Sequence, residues 1–106
     1  MLVCTTENVA GRKTVETLGQ VFGVIVRSRG IGGNMMAGLR TIAGGEIKEY
    51  TSLVEDTRRH AIDRLVMNAQ LMGADAVVMM RFDSGEIAKS MNEVVAYGTA
   101  VRLAPE

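Results

Sequence analysis

At 106 residues, with twelve Lys and Arg against twelve Asp and Glu, the chain is neutral at pH 7, which argues against a dedicated nucleic-acid binder with its basic excess. A single cysteine excludes an internal disulfide and fits a reducing compartment. The length predicts one domain over residues 1–106; no apolar run approaches the ~18 residues of a membrane span, and no basic stretch leads an apolar one at the N-terminus, so a soluble cytoplasmic protein is expected.

Leu2 to Thr6 reads as a short strand, and Glu7 to Lys13, with Asn8 and Gly11, as a polar turn. Thr14 to Arg27 carries a long strand pattern. Leu18, Gln20, Phe22, Val24 and Val26 fall on one face, and Val15, Thr17, Gly19, Val21, Gly23 and Ile25 on the other. Glycines inside a strand mark a bend, a bulge or a close backbone approach, so Gly19 and Gly23 are candidates for one of these. Gly30, Gly32 and Gly33 precede Asn34, a candidate N-cap for a short helix over Met35–Ile42, and Gly44-Gly45 ends that helix.

Glu46–Met72 is the organising stretch. Ile47, Tyr50, Val54, Thr57, Ala61, Leu65, Asn68 and Met72 recur three or four apart and predict one long amphipathic helix, its stripe widened by Leu53, Ile62, Val66 and Ala69. On its far face Glu55 and Arg59, Asp56 and His60, and Arg59 and Asp63 stand at i,i+4. Gly73 follows where a left-handed terminating residue is expected. The period then changes. Ala76-Val77-Val78-Met79-Met80-Arg81-Phe82 is apolar on both sides for five residues, as in a strand buried on both faces. Asp83-Ser84-Gly85 has turn composition, Ile87–Met91 connects, and Asn92–Leu103 alternates as a last strand. The link is too short for a crossover, so the last two strands should pair antiparallel. The expected fold is α/β of the α+β type: a mixed or antiparallel sheet of about four strands, with one long and one short helix. Two helices cannot cover both faces of such a sheet, so self-association is expected to hide the rest.

The ordered set Arg58-x-x-Ala61, Leu65, Ala69, Gly73-Ala74-Asp75-Ala76-Val77-Val78, Arg81-Phe82-Asp83 and Gly98-Thr99-Ala100-Val101 resembles the YbjQ-like family of small prokaryotic proteins. Thr5-Thr6, Leu18-Gly19-x-Val21-x-Gly23, Leu39-Arg40, Gly44-Gly45 and Tyr50 add to the likeness, which spans nearly the whole chain. The resemblance implies a subunit similar to a dodecin subunit, assembled as a ring, commonly a pentamer. It also implies a heavy-metal-binding label without an established biochemical role. The chain departs from the family at Glu46-Ile47-Lys48, where members often carry Arg-Ser-Gly, and at Met79-Met80, where a smaller pair is usual.

Cys4, Asp56 and His60 are the candidate metal ligands. Asp56 and His60 lie one helical turn apart, a spacing that equally suits an exposed pair. A metal cage needs three or four converging donors, and the sequence has no Cys-x-x-Cys, His pair or HExxH. A ring would repeat Cys4 or a methionine around its axis and suit a soft heavy metal such as Cu(I); the plain alternative is that Cys4, Met79 and Met80 only pack. Gly30, Gly32, Gly33 and Asn34 form a glycine turn between a strand and a helix, where an anion or nucleotide phosphate would bind, or simply a turn, since no Lys-Ser/Thr follows. The leading expectation is a homo-oligomeric ring that binds a small ligand or heavy metal, with no nucleic-acid or membrane partner. The alternative is an enzyme with a site between subunits.

Overall fold

A computed structural model of the chain describes residues 1–28 and 48–106. Its strands are β1 (Leu2–Val3), β2 (Arg12–Ser28), β3 (Ala76–Ala88) and β4 (Met91–Pro105), and its helix is α1 (Lys48–Leu71). The short helix expected over Met35–Ile42 lies outside the described residues, as do Gly30, Gly32, Gly33 and Asn34.

The sheet is mixed, in the order β1-β3-β4-β2. β1 runs parallel to β3, and β4 pairs antiparallel with both β3 and β2. The antiparallel pairing expected of the last two strands is therefore present. The turn between them is not at Asp83-Ser84-Gly85. Those residues continue β3, opposite Val95, Val94 and Glu93, and the chain reverses at Lys89-Ser90. Pairing along a long hairpin has outweighed local turn composition, and Asp83 meets its local tendency by accepting a bond from the Ser84 amide at 2.9 Å.

Thr57, Ala61, Leu65 and Ala69 form the buried stripe of α1 and rest on Val21, Ile25, Val77, Met80, Ala96 and Ala100. The reason α1 sits so close is Gly23. A methyl group there would overlap the Ala61 carbonyl oxygen and the Leu65 amide nitrogen, so the absent side chain is what admits the helix backbone. Small residues on the helix side of β4 serve the same end. Gly73 ends α1 with φ +81, as its position predicted. Asp75 then pins the following turn, its amide bonding the Val101 carbonyl and its carboxylate accepting from the Leu103 amide, each at 2.9 Å.

Two bulges reset which side chains face the helix. Between Val78 and Arg81, β3 carries one residue more than β4, and Met79 takes φ 55. Val77 and then Met80 and Phe82 thereby face α1, and Met79 is thrown outward. In β2 the shift between Thr17 and Gly19, with Gly19 at φ +119, brings Leu18 to the helix side. The uninterrupted alternation that put Leu18 with Phe22 fails at that bulge.

Among the described residues, the opposite sheet face is covered only in part. The segment Cys4–Val9 folds back over Ala76, Val78 and Val101. Cys4 donates its amide to Val77 O and accepts from Met80 N, and Thr6 O accepts from Met79 N. The guanidinium of Arg81 donates to Thr5 O at 3.0 Å and Met80 O at 2.8 Å, tying this strap to the bulge. Beyond the strap and among the described residues, the cross-strand pair Phe22–Tyr97 and Val24, opposite a half-buried Val95, are open, with Phe22 47%, Val24 36% and Tyr97 39% exposed.

Candidate functional site

Among the described residues β2 is an edge strand, with a long row of backbone groups that needs protection. α1 supplies it with side chains one turn apart. Arg64 donates to the Val24 carbonyl at 3.1 Å and Asn68 to the Phe22 carbonyl at 2.7 Å. His60 stands one turn earlier on the same row, and its Nδ1 accepts from Nη2 of Arg27 at 2.7 Å. Because guanidinium only donates, Nδ1 carries no proton, and a neutral imidazole then holds its proton on Nε2. His60, Asp63, Arg64 and Arg27, with Ile25 and Val26, line a cavity of about 400 Å³.

On its other side Arg27 lines a second, more apolar cavity of about 210 Å³, walled by Tyr50, Leu53, Val54, Thr57 and Val94. Thr57 is buried there, its hydroxyl satisfied by the Leu53 carbonyl one turn back at 2.8 Å. Among the described residues, Nε of Arg27 is buried without an acceptor, a costly state for a guanidinium donor.

The three candidate metal ligands do not converge. Asp56 and His60 ride on α1, and the pairing expected between them does not form; His60 turns to Arg27 instead. The other two i,i+4 pairs on that face are also unformed among the described residues; elsewhere Arg102 pairs with Glu16 at 3.3 Å. Arg58 from the same helix lies over the Phe82 ring, 5.2 Å from its centre. Cys4 sits on the other side of the sheet, packed against Ala76, Val78 and Val101, its thiol directed at Thr6 O. Among the described residues no three His, Cys, Asp or Glu side chains gather as a metal cage. The donor chemistry agrees: the lone pair that His60 would offer a cation is engaged by a guanidinium. A metal ion therefore does not fit these residues within one chain.

The comparisons with known proteins follow the same outline. A family model described as "Putative heavy-metal-binding", of the YbjQ type, matches residues 1–104. The chain belongs to the YbjQ family. A UPF0145 protein of Bradyrhizobium sp. (strain ORS 278) is 66% identical over 105 residues, covering 99% of this chain and 95% of its own length. A UPF0145 protein of Picrophilus torridus is 54% identical over 105 residues, covering 99% of this chain and 89% of its own length. A crystal structure from Pediococcus pentosaceus, of a DUF74-family protein of unknown function, superposes with a TM-score of 0.63 at 17% identity over 98% of each chain. At that identity the likeness shows the fold, which among the described residues is α+β with one helix on a four-stranded mixed sheet.

Several motif residues of the YbjQ chain have structural duties here. Arg81 fastens the strap, Asp75 pins the turn after α1, and Gly98 lies so close to β3 that a methyl would sit 2.7 Å from a Val77 methyl group. The pairing of Arg27 with His60 was missed in the sequence. The two are 33 residues apart, and the sequence pattern places Asn68 on the apolar stripe and His60 on the far face, whereas in the fold they stand with Arg64 on one row. Among the described residues, no helix is long and apolar enough to cross a membrane.

Proposed function

We propose that this chain is one domain and the subunit of a cytoplasmic homo-oligomeric ring, a pentamer as the family resemblance implies, that serves as a small-ligand-binding module. The observation carrying the reading is the bare half of the sheet beyond the Cys4–Val9 strap. There Phe22, Val24, Val26 and Tyr97 leave 47%, 36%, 50% and 39% of their surface open. A β face of aromatic and branched residues with a strap over half of it calls for a second cover. A neighbouring copy offers one at no cost in new sequence. The shape supports this: the radius of gyration is 17.1 Å, against about 13 Å for a compact chain of about 100 residues.

Roughly 300 Å² of apolar surface on these four residues is worth ~7 kcal/mol when hidden. Association costs of ~4–15 kcal/mol consume much of that, so the contact has to bury more than these four residues; the closed ring itself is what the family resemblance implies. A heavy metal in such a ring would need donors from more than one subunit. Native mass spectrometry of untreated protein tests the proposal by reporting subunit number and any retained ligand together. A spectrum dominated by single folded subunits would defeat it.

A further inference from the structure

We infer that the cavity between β2 and α1 is an oxyanion site, built for a phosphate or carboxylate group of a small ligand rather than for a metal cation. The site lies within one chain and does not depend on assembly. Its walls bring together two guanidiniums, Arg27 and Arg64, one imidazole, His60, and one carboxylate, Asp63. With His60 neutral, these side chains leave one net positive charge around about 400 Å³ of open space.

The hydrogen bonds orient the donors. Arg27 Nη2 is spent on His60 Nδ1, which places the imidazole proton on Nε2 and makes that edge of the ring a donor. Arg64 spends Nη1 on the Val24 carbonyl, which anchors the guanidinium, and among the described residues its remaining N–H groups have no other acceptor. Among the described residues, Nε of Arg27 is a buried donor with no acceptor, so this guanidinium is the one whose hydrogen-bonding capacity the chain leaves unmet. A cation is disfavoured. It would face two guanidiniums at short range, and the His60 lone pair it needs is already taken. Asp63 opposes an anion, and its removal should tighten binding.

His60 is the single histidine of the chain, so its ring signals report the site without ambiguity. The experiment is NMR of full-length protein with isotope-labelled histidine, titrated at fixed pH and ionic strength with inorganic phosphate, with acetate, and with zinc. The expected result is a saturable shift of the His60 ring signals with phosphate or acetate at low millimolar concentration or below. Arg64→Gln and Arg27→Gln should weaken it at least tenfold, and Asp63→Asn should strengthen it several-fold. If Arg27→Gln does not fold, Arg64→Lys carries the test, since it keeps the charge but loses the fork and should weaken binding less than Arg64→Gln. Phosphate and acetate arms distinguish the two ligand chemistries. No saturable shift with either anion, equal affinity in Arg64→Gln, or a saturable response to zinc alone would each overturn the inference.

Discussion

Replacing Gly23 by alanine tests the packing on which the fold rests. The added methyl would overlap the Ala61 carbonyl oxygen and the Leu65 amide nitrogen and touch the Leu65 Cα at 3.0 Å. All three are backbone atoms, so no rotamer change makes room; α1 has to lift from β2. Lifting it loosens Ala61, Leu65 and Ala69, each fully buried. Overpacking typically costs ~1–3 kcal/mol, and rigid neighbours put this case at the top, about 3 kcal/mol. Alanine returns ~0.5–1 kcal/mol by restricting the unfolded chain. The net loss is ~2 kcal/mol, a large share of a stability of ~5–15 kcal/mol. Urea unfolding followed by circular dichroism, at one protein concentration, measures it. Gly85→Ala is the control: a Cβ there meets nothing within 4 Å, so it should fall within ~1 kcal/mol of wild type. A Gly23→Ala protein as stable as wild type would refute the close-approach argument.

Gly73, at φ +81, should lose ~1 kcal/mol as alanine, seen as a lower melting temperature; an unchanged one would count against the helix-stop reading. Met79 holds φ 55 at the β3 bulge, a conformation costing a side chain ~1–2 kcal/mol, so Met79→Gly should match or exceed wild-type stability, and a clear loss would mean that the exposed side chain is needed. Purified protein should carry less than one equivalent of metal per subunit by elemental mass spectrometry, and a Cys4→Ser, His60→Ala double variant should hold no less; a tight full equivalent lost in that variant would contradict the donor argument.

Much of this architecture was legible because periodicity and glycine placement speak locally. The spacing of Thr57, Ala61, Leu65 and Ala69 announced α1, and Gly73 announced its end. The apolar run from Ala76 announced a strand with both faces in use. What stayed hidden depends on long-range pairing. The β3 bulge exposes Met79 and turns Met80 inward, a reversal no alternation rule foresees. Asp83-Ser84-Gly85 carries turn residues, yet the partner strand extends past it. Val77 and Val95 looked equivalent as apolar strand positions. In the fold Val77 is fully buried under α1, so a charge there should unfold the subunit, whereas Val95 belongs to the bare face. At the candidate site, His60, Arg64 and Asn68 stand one turn apart, but the sequence pattern assigns Asn68 to the apolar stripe and His60 to the far face, because the boundary row between the two faces is set by β2. Arg27 could not be read there either, because only sheet order places it beside the helix, and the glycine turn with Asn34 lies outside the described residues.

The central claim, that the bare sheet face is a contact between copies, is tested most directly by sedimentation velocity on wild type and Val24→Glu at the same micromolar concentration. Val24 is already 36% exposed, so glutamate there should leave the subunit folded by circular dichroism while placing a charge in the contact. The account predicts a wild-type particle of about five subunits and a folded variant that sediments as a single subunit. A wild type that sediments as a folded single chain, or a Val24→Glu variant that assembles as wild type does, would contradict it.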